Sequence, residues 1–247
     1  KVLTYALMTN HVHILVEEPD RKTAVGDEEL VERLRCLYGV TGTTEILERW
    51  ALWTARGMAD AVVEDKARYR RRMHDISEFM KQVKQRFVSW YHRQHGTCGT
   101  IWQDRFRSVL VEDGAALRTM AAYIEMNPVR AGLVDDPKAY RFCGFGEAMG
   151  GVKRARRGIE RIAKELTASD GWGDASQAYF EHVLMYEEVR NNRNLKYMDQ
   201  DALRDKIKNR TSLTRFERLL CRCRYYTDGQ VVGSMEFVEA FFMEHRD

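Results

Sequence analysis

The chain has 247 residues, 44% of them hydrophobic, enough for one large or two small packed domains and too many for wholesale disorder. No apolar run approaches the roughly 20 residues that a membrane helix needs, and the first residues lack the charged, apolar, small-residue order of a secretion signal. A formal charge of +3 permits a nucleic-acid partner without demanding one, and five scattered cysteines in a chain this long read as reduced cytoplasmic thiols.

The chain opens on Lys1 rather than Met and runs straight into a strand pattern, which reads as a piece whose beginning is absent. Val2 to Met8 is rich in strand formers, and His11 to Glu17 is a second strand candidate. Only Thr9 and Asn10 separate them, which suits a tight hairpin, and Pro19 ends the second strand. Residues 27–75 look helical and charged, with breaks at Gly39 to Thr44 and near Gly57. Ile76 to His95 is the clearest helix: Ile76, Phe79, Met80, Val83, Phe87, Trp90 and Tyr91 fall at helical spacing, which reads Trp90 as core. Phe106 to Val111 reads as a strand, and Ala115 to Met126 as a helix stopped by Asn127-Pro128. The glycines between Gly144 and Gly151 close a first domain over residues 1–150, with a helical insert at about 20–75. Residues 151–247 read as a polar helical region, in which Ser234 caps a last helix running to His245.

Basic residues bunch at Lys66, Arg68, Arg70, Arg71 and Arg72, at Lys81, Lys84 and Arg86, and at Lys153, Arg154, Arg156 and Arg157. Such runs are either solvated helix faces or phosphate contacts. Trp90, Tyr91, Trp102 and Phe106 interleave with Lys84, Arg86, Arg93, Arg105 and Arg107, a mixture that suits unpaired nucleic acid, where bases stack and cations follow the backbone. Trp102, in a loop, is the better stacking candidate. Cys221-x-Cys223 is too tight for a structural zinc site and has no second pair.

His11 and His13 are two apart, so a strand turns both imidazoles to one face and Val12 to the other, into the core. Two imidazoles side by side make half of a divalent metal site, or else two polar residues on a solvated face. Tyr123 and Asn127 are four apart on one helix and share a face. A tyrosine oxygen can attack phosphorus beside a polarising cation, and an amide oxygen can complete that cation's shell. The alternative is a half-buried aromatic and an asparagine that caps the helix before Pro128.

Three segments carry a resemblance: Tyr-Ala-Leu-Met-Thr-Asn-His-Val-His-Ile-Leu-Val (5–16), two stretches within 76–111 that include Gly-Thr-Ile-Trp-Gln-Asp-Arg-Phe-Arg-Ser-Val-Leu-Val, and Tyr-Ile-Glu-Met-Asn-Pro-Val-Arg-Ala-Gly-Leu-Val (123–134). Together and in this order they resemble the single-tyrosine transposases of the HUH superfamily, in particular the REP-associated group. The resemblance implies an α+β, ferredoxin-like nuclease domain, here without its first strand and helix, and a Mg²⁺ or Mn²⁺ ion. His11 and His13 match the metal-binding histidines, Asn127 falls at a third polar ligand, and Tyr123 matches the nucleophile that forms a 5′-phosphotyrosine link. The implied substrate is single-stranded or hairpin DNA. Lys81, Lys84, Arg86, Trp102, Arg105, Arg107 and Arg130 are the candidates to hold it. The implied setting is the bacterial cytoplasm, on the nucleoid, with no membrane partner, as monomer or dimer. A non-cutting, domesticated DNA-binding protein of the same fold is the alternative, and a relaxase-like nickase a third reading. Residues 151–247 lie outside the resemblance, as an accessory region that either holds DNA or only packs.

Overall fold

The structure, a computed structural model, describes residues 1–18, 25–169, 171–191 and 231–244. Pro19, the Cys221–Cys223 pair and Thr227-Asp228-Gly229, whose sequence reads as a turn between two helix candidates, lie outside the described residues. The chain is α+β and divides into two units, Lys1–Glu17 with Arg107–Asp247, and Glu18–Phe106.

In the first unit, β1 (Val2–Leu7) and β2 (Val12–Val16) form the expected antiparallel hairpin, and the Met8 N–H donates to the His11 carbonyl at 2.9 Å across Thr9 and Asn10. Ala6 lies opposite His13 and Thr4 opposite Leu15. Directly opposed residues share a face. Ala6, Thr4 and Leu15 are buried, whereas Leu7, opposite Val12, is exposed. The histidine face is therefore the covered one, and Val12, expected in the core, is half-exposed on the other face. The free edge of β1 is met by Phe142 and Cys143, with the Leu7 N–H donating to the Phe142 carbonyl at 2.9 Å.

Only Leu110–Val111 (β3) of the strand expected over 106–111 forms, paired in parallel with β4 (Val231–Val232). Phe106 and Val109 are strand formers, but residues 106–109 have no strand beside them among the described residues, and strand propensity without a neighbour does not hold a strand. The helices of this unit are α4 (Ala115–Glu125), α5 (Asn127–Arg130), α6 (Gly144–Met149), α7 (Lys153–Ala163), α8 (Trp172–Asn191) and α9 (Met235–Glu244). Ser234 caps the last of them as expected, its Oγ accepting from the Phe237 N–H at 3.1 Å; His245 lies outside the described residues.

The boundary read at residue 150 is not a structural one. Ala155, Ile159, Ile162 and Ala163 of α7 and Ala175, Tyr179, Val183 and Tyr186 of α8 join Leu3, Ala6, Leu15, Ala122 and Phe145 in one core. Polar composition hid a buried stripe of small and branched residues. Gly158 lets α7 lie directly on β1: a Cβ there would meet the Leu3 carbonyl oxygen at 2.1 Å. In a free helix alanine is about 1 kcal/mol better than glycine. Gly158→Ala should instead destabilise the first unit by roughly 3 kcal/mol, since overpacking must shift backbone; a melting temperature at or above that of the parent would contradict this packing.

The second unit holds three helices, here αA (Asp27–Ala55), αB (Ala59–Arg72) and αC (Ile76–His95). αA bends at Gly39, where φ is 72°, at the start of the expected break. Asp75 caps αC by accepting from the Ser77 and Glu78 N–H groups, and Gly96 ends it at φ 61°. Leu30, Leu34, Ile46, Trp50 and Tyr69 form the core. Within it buried Asp65 accepts from Trp50 Nε1 at 2.9 Å and pairs with Arg49 and Arg68. The αB basic run is largely engaged inside this unit: Lys66 and Arg70 both pair with Asp27. Trp90, expected in the core, is 49% exposed. Among the described residues no helix is long and apolar enough to cross a membrane.

Candidate active site

The hairpin turn sets the first half of the site. A two-residue turn starts β2 at once, so His11 and His13 project from its opening to the same side, with ring centroids 4.9 Å apart and planes at 85°. Asn10, which sequence reasoning used only as a turn residue, has its Oδ1 2.7 Å from His11 Nδ1. An amide oxygen only accepts, so this contact uses Nδ1 as the donor and leaves Nε2 as the ring nitrogen that a metal could take. His13 is half-buried; burial first, and then the charge of His11, push its imidazole below the ordinary histidine range, which holds it neutral and able to donate to a cation.

The second half comes from α4. Its small residues Ala121 and Ala122 are fully buried, which brings the helix close to the hairpin face and sets half-buried Tyr123 beside the histidines. The Tyr123 ring meets His13 edge-on, with centroids 5.7 Å apart and planes at 76°. The guanidinium of Arg130 lies 5.1 Å from the centre of the Tyr123 ring, and 5.3 Å from that of Tyr186 on α8. His11, His13, Tyr123, Arg130 and Tyr186 are thus successive neighbours.

Asn127 does cap the helix. Its Nδ2 donates to the Tyr123 carbonyl at 2.8 Å and lies 3.5 Å from that of Ile124, the acceptor that Pro128, lacking an N–H, cannot serve. The helix consequently does not stop at Asn127-Pro128 but restarts as α5, with proline in its tolerated first turn. With the amide nitrogen held in this way, Oδ1 is the Asn127 atom that suits a cation. Among the described residues no group of three His, Cys, Asp or Glu side chains is gathered around a possible cation. A cation on His11 and His13 would therefore draw its other ligands from an amide such as Asn127, from water or from substrate oxygens.

Glu125, on the opposite face of α4, fixes the helix from below. It is completely buried and accepts hydrogen bonds from Thr4 Oγ1 of β1 and from the Phe145 N–H of α6, at 3.1 Å for the latter. Burial raises its carboxyl to about 7, against the pull of its hydrogen bonds from Thr4, Cys143 and Phe145. The neutral acid is the form that folds well. Its contribution is complete below the unfolded-state value of about 4.5 and disappears as pH rises through about 7. Denaturant unfolding should therefore show the parent losing roughly 3 kcal/mol, relative to Glu125→Gln, between pH 4.5 and 8. His13 and His182, both lowered by burial, act with the opposite sign and cancel in that difference. Equal pH slopes in the two proteins would show that Glu125 folds ionised.

The remaining expected contacts are spread over both units. On the second, Lys81, Lys84, Trp102 and Arg105 line a groove of about 750 Å³ beside αC. Trp102 is not a bare platform there: the Lys84 ammonium sits 5.4 Å from its ring centre, Phe87 packs 5.5 Å away, and Trp102 Nε1 donates to the Lys84 carbonyl at 3.3 Å. Lys81 pairs with Glu78 at 3.0 Å, and Arg86 and Arg105 are exposed. Arg107 is exposed in the first unit. Of the other tyrosines, Tyr5 donates to Glu147 at 2.9 Å and Tyr91 lies 4.3 Å from the His95 ring. Tyr186 and Glu125 were missed: Tyr186 is distant in sequence from the motifs, and a lone glutamate in a helix carries no mark of burial.

No family model matches the chain, and neither a curated protein nor a solved structure is significantly similar to it.

Proposed function

We propose that this chain is a metal-dependent transesterase that nicks and rejoins single-stranded or hairpin DNA through Tyr123, in the manner of the HUH single-tyrosine transposases of the REP-associated group. The observation that supports this reading is the edge-on contact of the Tyr123 ring of α4 with the His13 imidazole, whose own neighbour 4.9 Å away is His11. On this reading the hairpin and the helix on its histidine face would be the part of a ferredoxin-like nuclease frame on which such a site is built. His11 and His13, with Oδ1 of Asn127, would hold Mg²⁺ or Mn²⁺. A bound cation of this kind polarises a phosphate and steadies a leaving oxygen.

The chain's own part of the chemistry is positional. Tyr123 presents Oη to the scissile phosphorus. The Oη–P bond forms, the P–O3′ bond breaks, the phenol gives up its proton to solvent and the released 3′ oxygen ends as a hydroxyl. One phosphodiester is exchanged for another, so no nucleotide cofactor is needed and the reaction runs in both directions. Arg130 and the exposed cations Arg86, Arg105 and Arg107 would meet the DNA backbone, with the groove lined by Lys81, Lys84 and Trp102 beside unpaired bases. This chemistry belongs on the nucleoid, in the bacterial cytoplasm.

The test is incubation with labelled hairpin and single-stranded DNA plus Mn²⁺, followed by denaturing electrophoresis. The expected result is a protein–DNA adduct that survives denaturation and is removed by adding back the 3′-hydroxyl strand. Tight, salt-dependent binding with no adduct would replace this reading with the non-cutting DNA-binding protein.

A further inference from the structure

We infer that Arg130 is the phosphate-holding cation of this site and that Tyr186, on α8, is its positioning residue, so that α8 is part of the active site; this rests on the transesterase reading above. Arg130 ends α5, seven residues after Tyr123, and two helical turns return it to the same side. Its guanidinium lies over two phenol rings, 5.1 Å from the centre of Tyr123 and 5.3 Å from that of Tyr186. Tyr186 is 3% exposed and belongs to the core shared by β1, α4, α7 and α8, so its ring is a fixed wall.

A guanidinium against two aromatic rings is limited in its movement and keeps its charge. Its donors lie in one plane as a rigid fork that matches two oxygens of one phosphate. Lysine would supply a point charge without that geometry. The placement also suits the reaction. As the Tyr123 Oη–P bond forms and the P–O3′ bond breaks, negative charge is spread over the two non-bridging oxygens. A cation against the attacking ring lies close to where that charge develops. Arg130 stays protonated throughout and takes no part in the proton balance. In the phosphotyrosine state the same contact holds the phosphate ready for the returning 3′-hydroxyl.

The test uses the full chain with Tyr186→Leu, Tyr186→Phe, Arg130→Gln and Arg130→Lys. In single-turnover adduct formation with Mn²⁺ and a single-stranded oligodeoxynucleotide, Arg130→Gln should slow the reaction by about 100-fold or more, and Arg130→Lys should recover little of it. Tyr186→Leu should slow it by about tenfold or more with affinity changed less than about threefold, and Tyr186→Phe, which keeps the ring face, should recover most of that loss. The second readout needs no cutting. In ¹⁵N-arginine-labelled Tyr123→Phe protein, the Arg130 Nε–H resonance should be shifted by ring currents and should move when the oligonucleotide is added. Adding Tyr186→Leu should return it towards the position of an exposed arginine.

An Arg130 resonance indifferent to DNA, or full-rate adduct formation in Arg130→Gln, overturns the inference. So does equal slowing by Tyr186→Leu and Tyr186→Phe, which would make Tyr186 a packing residue only. If the parent forms no adduct but the Arg130 resonance responds to DNA in the Tyr186-dependent way, the phosphate-holding pair stands and the transesterase reading falls.

Discussion

Tyr123→Phe should abolish the covalent adduct and lower DNA nicking by about four orders of magnitude or more, the scale seen when a nucleophile is removed from a cooperating set. The change deletes one oxygen and keeps the ring. The edge contact with His13 and the Arg130 guanidinium over the ring both depend on the ring, so the variant should keep its stability and the arrangement around it. Affinity for a single-stranded oligonucleotide should stay within about twofold, since that hydroxyl makes no hydrogen bond among the described residues. The chain has eleven tyrosines, which makes the choice of this one testable. Tyr5 donates to Glu147 on the far side of β1, and burial pushes its phenol well above the ordinary range, so it is no competing nucleophile. Tyr186 is nearly buried, and Tyr91 lies in the other unit. Adduct formation is scored by denaturing electrophoresis and the attached residue by mass spectrometry of the digested adduct. A Tyr123→Phe protein that still forms the adduct would assign the chemistry to another residue.

Local signals in the sequence reached the hairpin, the span of αC and the helix that carries Tyr123, because each is written within a few consecutive residues. Thr9-Asn10 lies between two strand-forming runs, and the apolar positions from Ile76 to Tyr91 fall at helical spacing, whereas the caps Asp75 and Gly96 came from the structure. Side-chain direction was less legible. The alternation of β2 put His11 and His13 on one face correctly, but which face is buried depends on α4, more than a hundred residues away. Tyr123 could not have touched His13 on an uncovered face, so correcting Val12 also explains how the site assembles. The same limit hid α7 and α8. Their charged residues dominate the composition, while Gly158, Ile159 and Ile162 make the contacts that join them to β1. Trp90 failed in the other sense: apolar spacing says that a helix has a stripe, not that each member of the stripe is covered. Tyr186 needs three-dimensional placement, since its role comes entirely from lying against Arg130.

His11→Ala with His13→Ala should lower metal-supported cutting by about a thousandfold or more while leaving single-stranded DNA affinity nearly unchanged in the absence of divalent ions. The two imidazoles are prepared for the same task by different means. His11 is exposed and has its Nδ1 held by Asn10, which would leave Nε2 to take a cation. His13 is half-buried and kept neutral, so no proton has to leave before a cation can bind. Each single substitution should therefore cost nearly as much as the pair, because one imidazole, an amide and waters are a weak set for a divalent ion. Folding is a separate matter. The His13 ring touches Tyr123 and lies opposite fully buried Ala6, so its removal leaves a small void worth about 1 kcal/mol, which thermal melting would register. His11, exposed at the turn, should show no such loss. Binding of Mn²⁺ to the DNA-free protein, followed by electron paramagnetic resonance, separates the two effects: the ion should be released in both single variants, although only His13→Ala melts earlier. Cutting at the parental rate in the double variant, with Mn²⁺ or Mg²⁺ present, would remove both histidines from the chemistry and leave Tyr123 without the cation on which its attack depends.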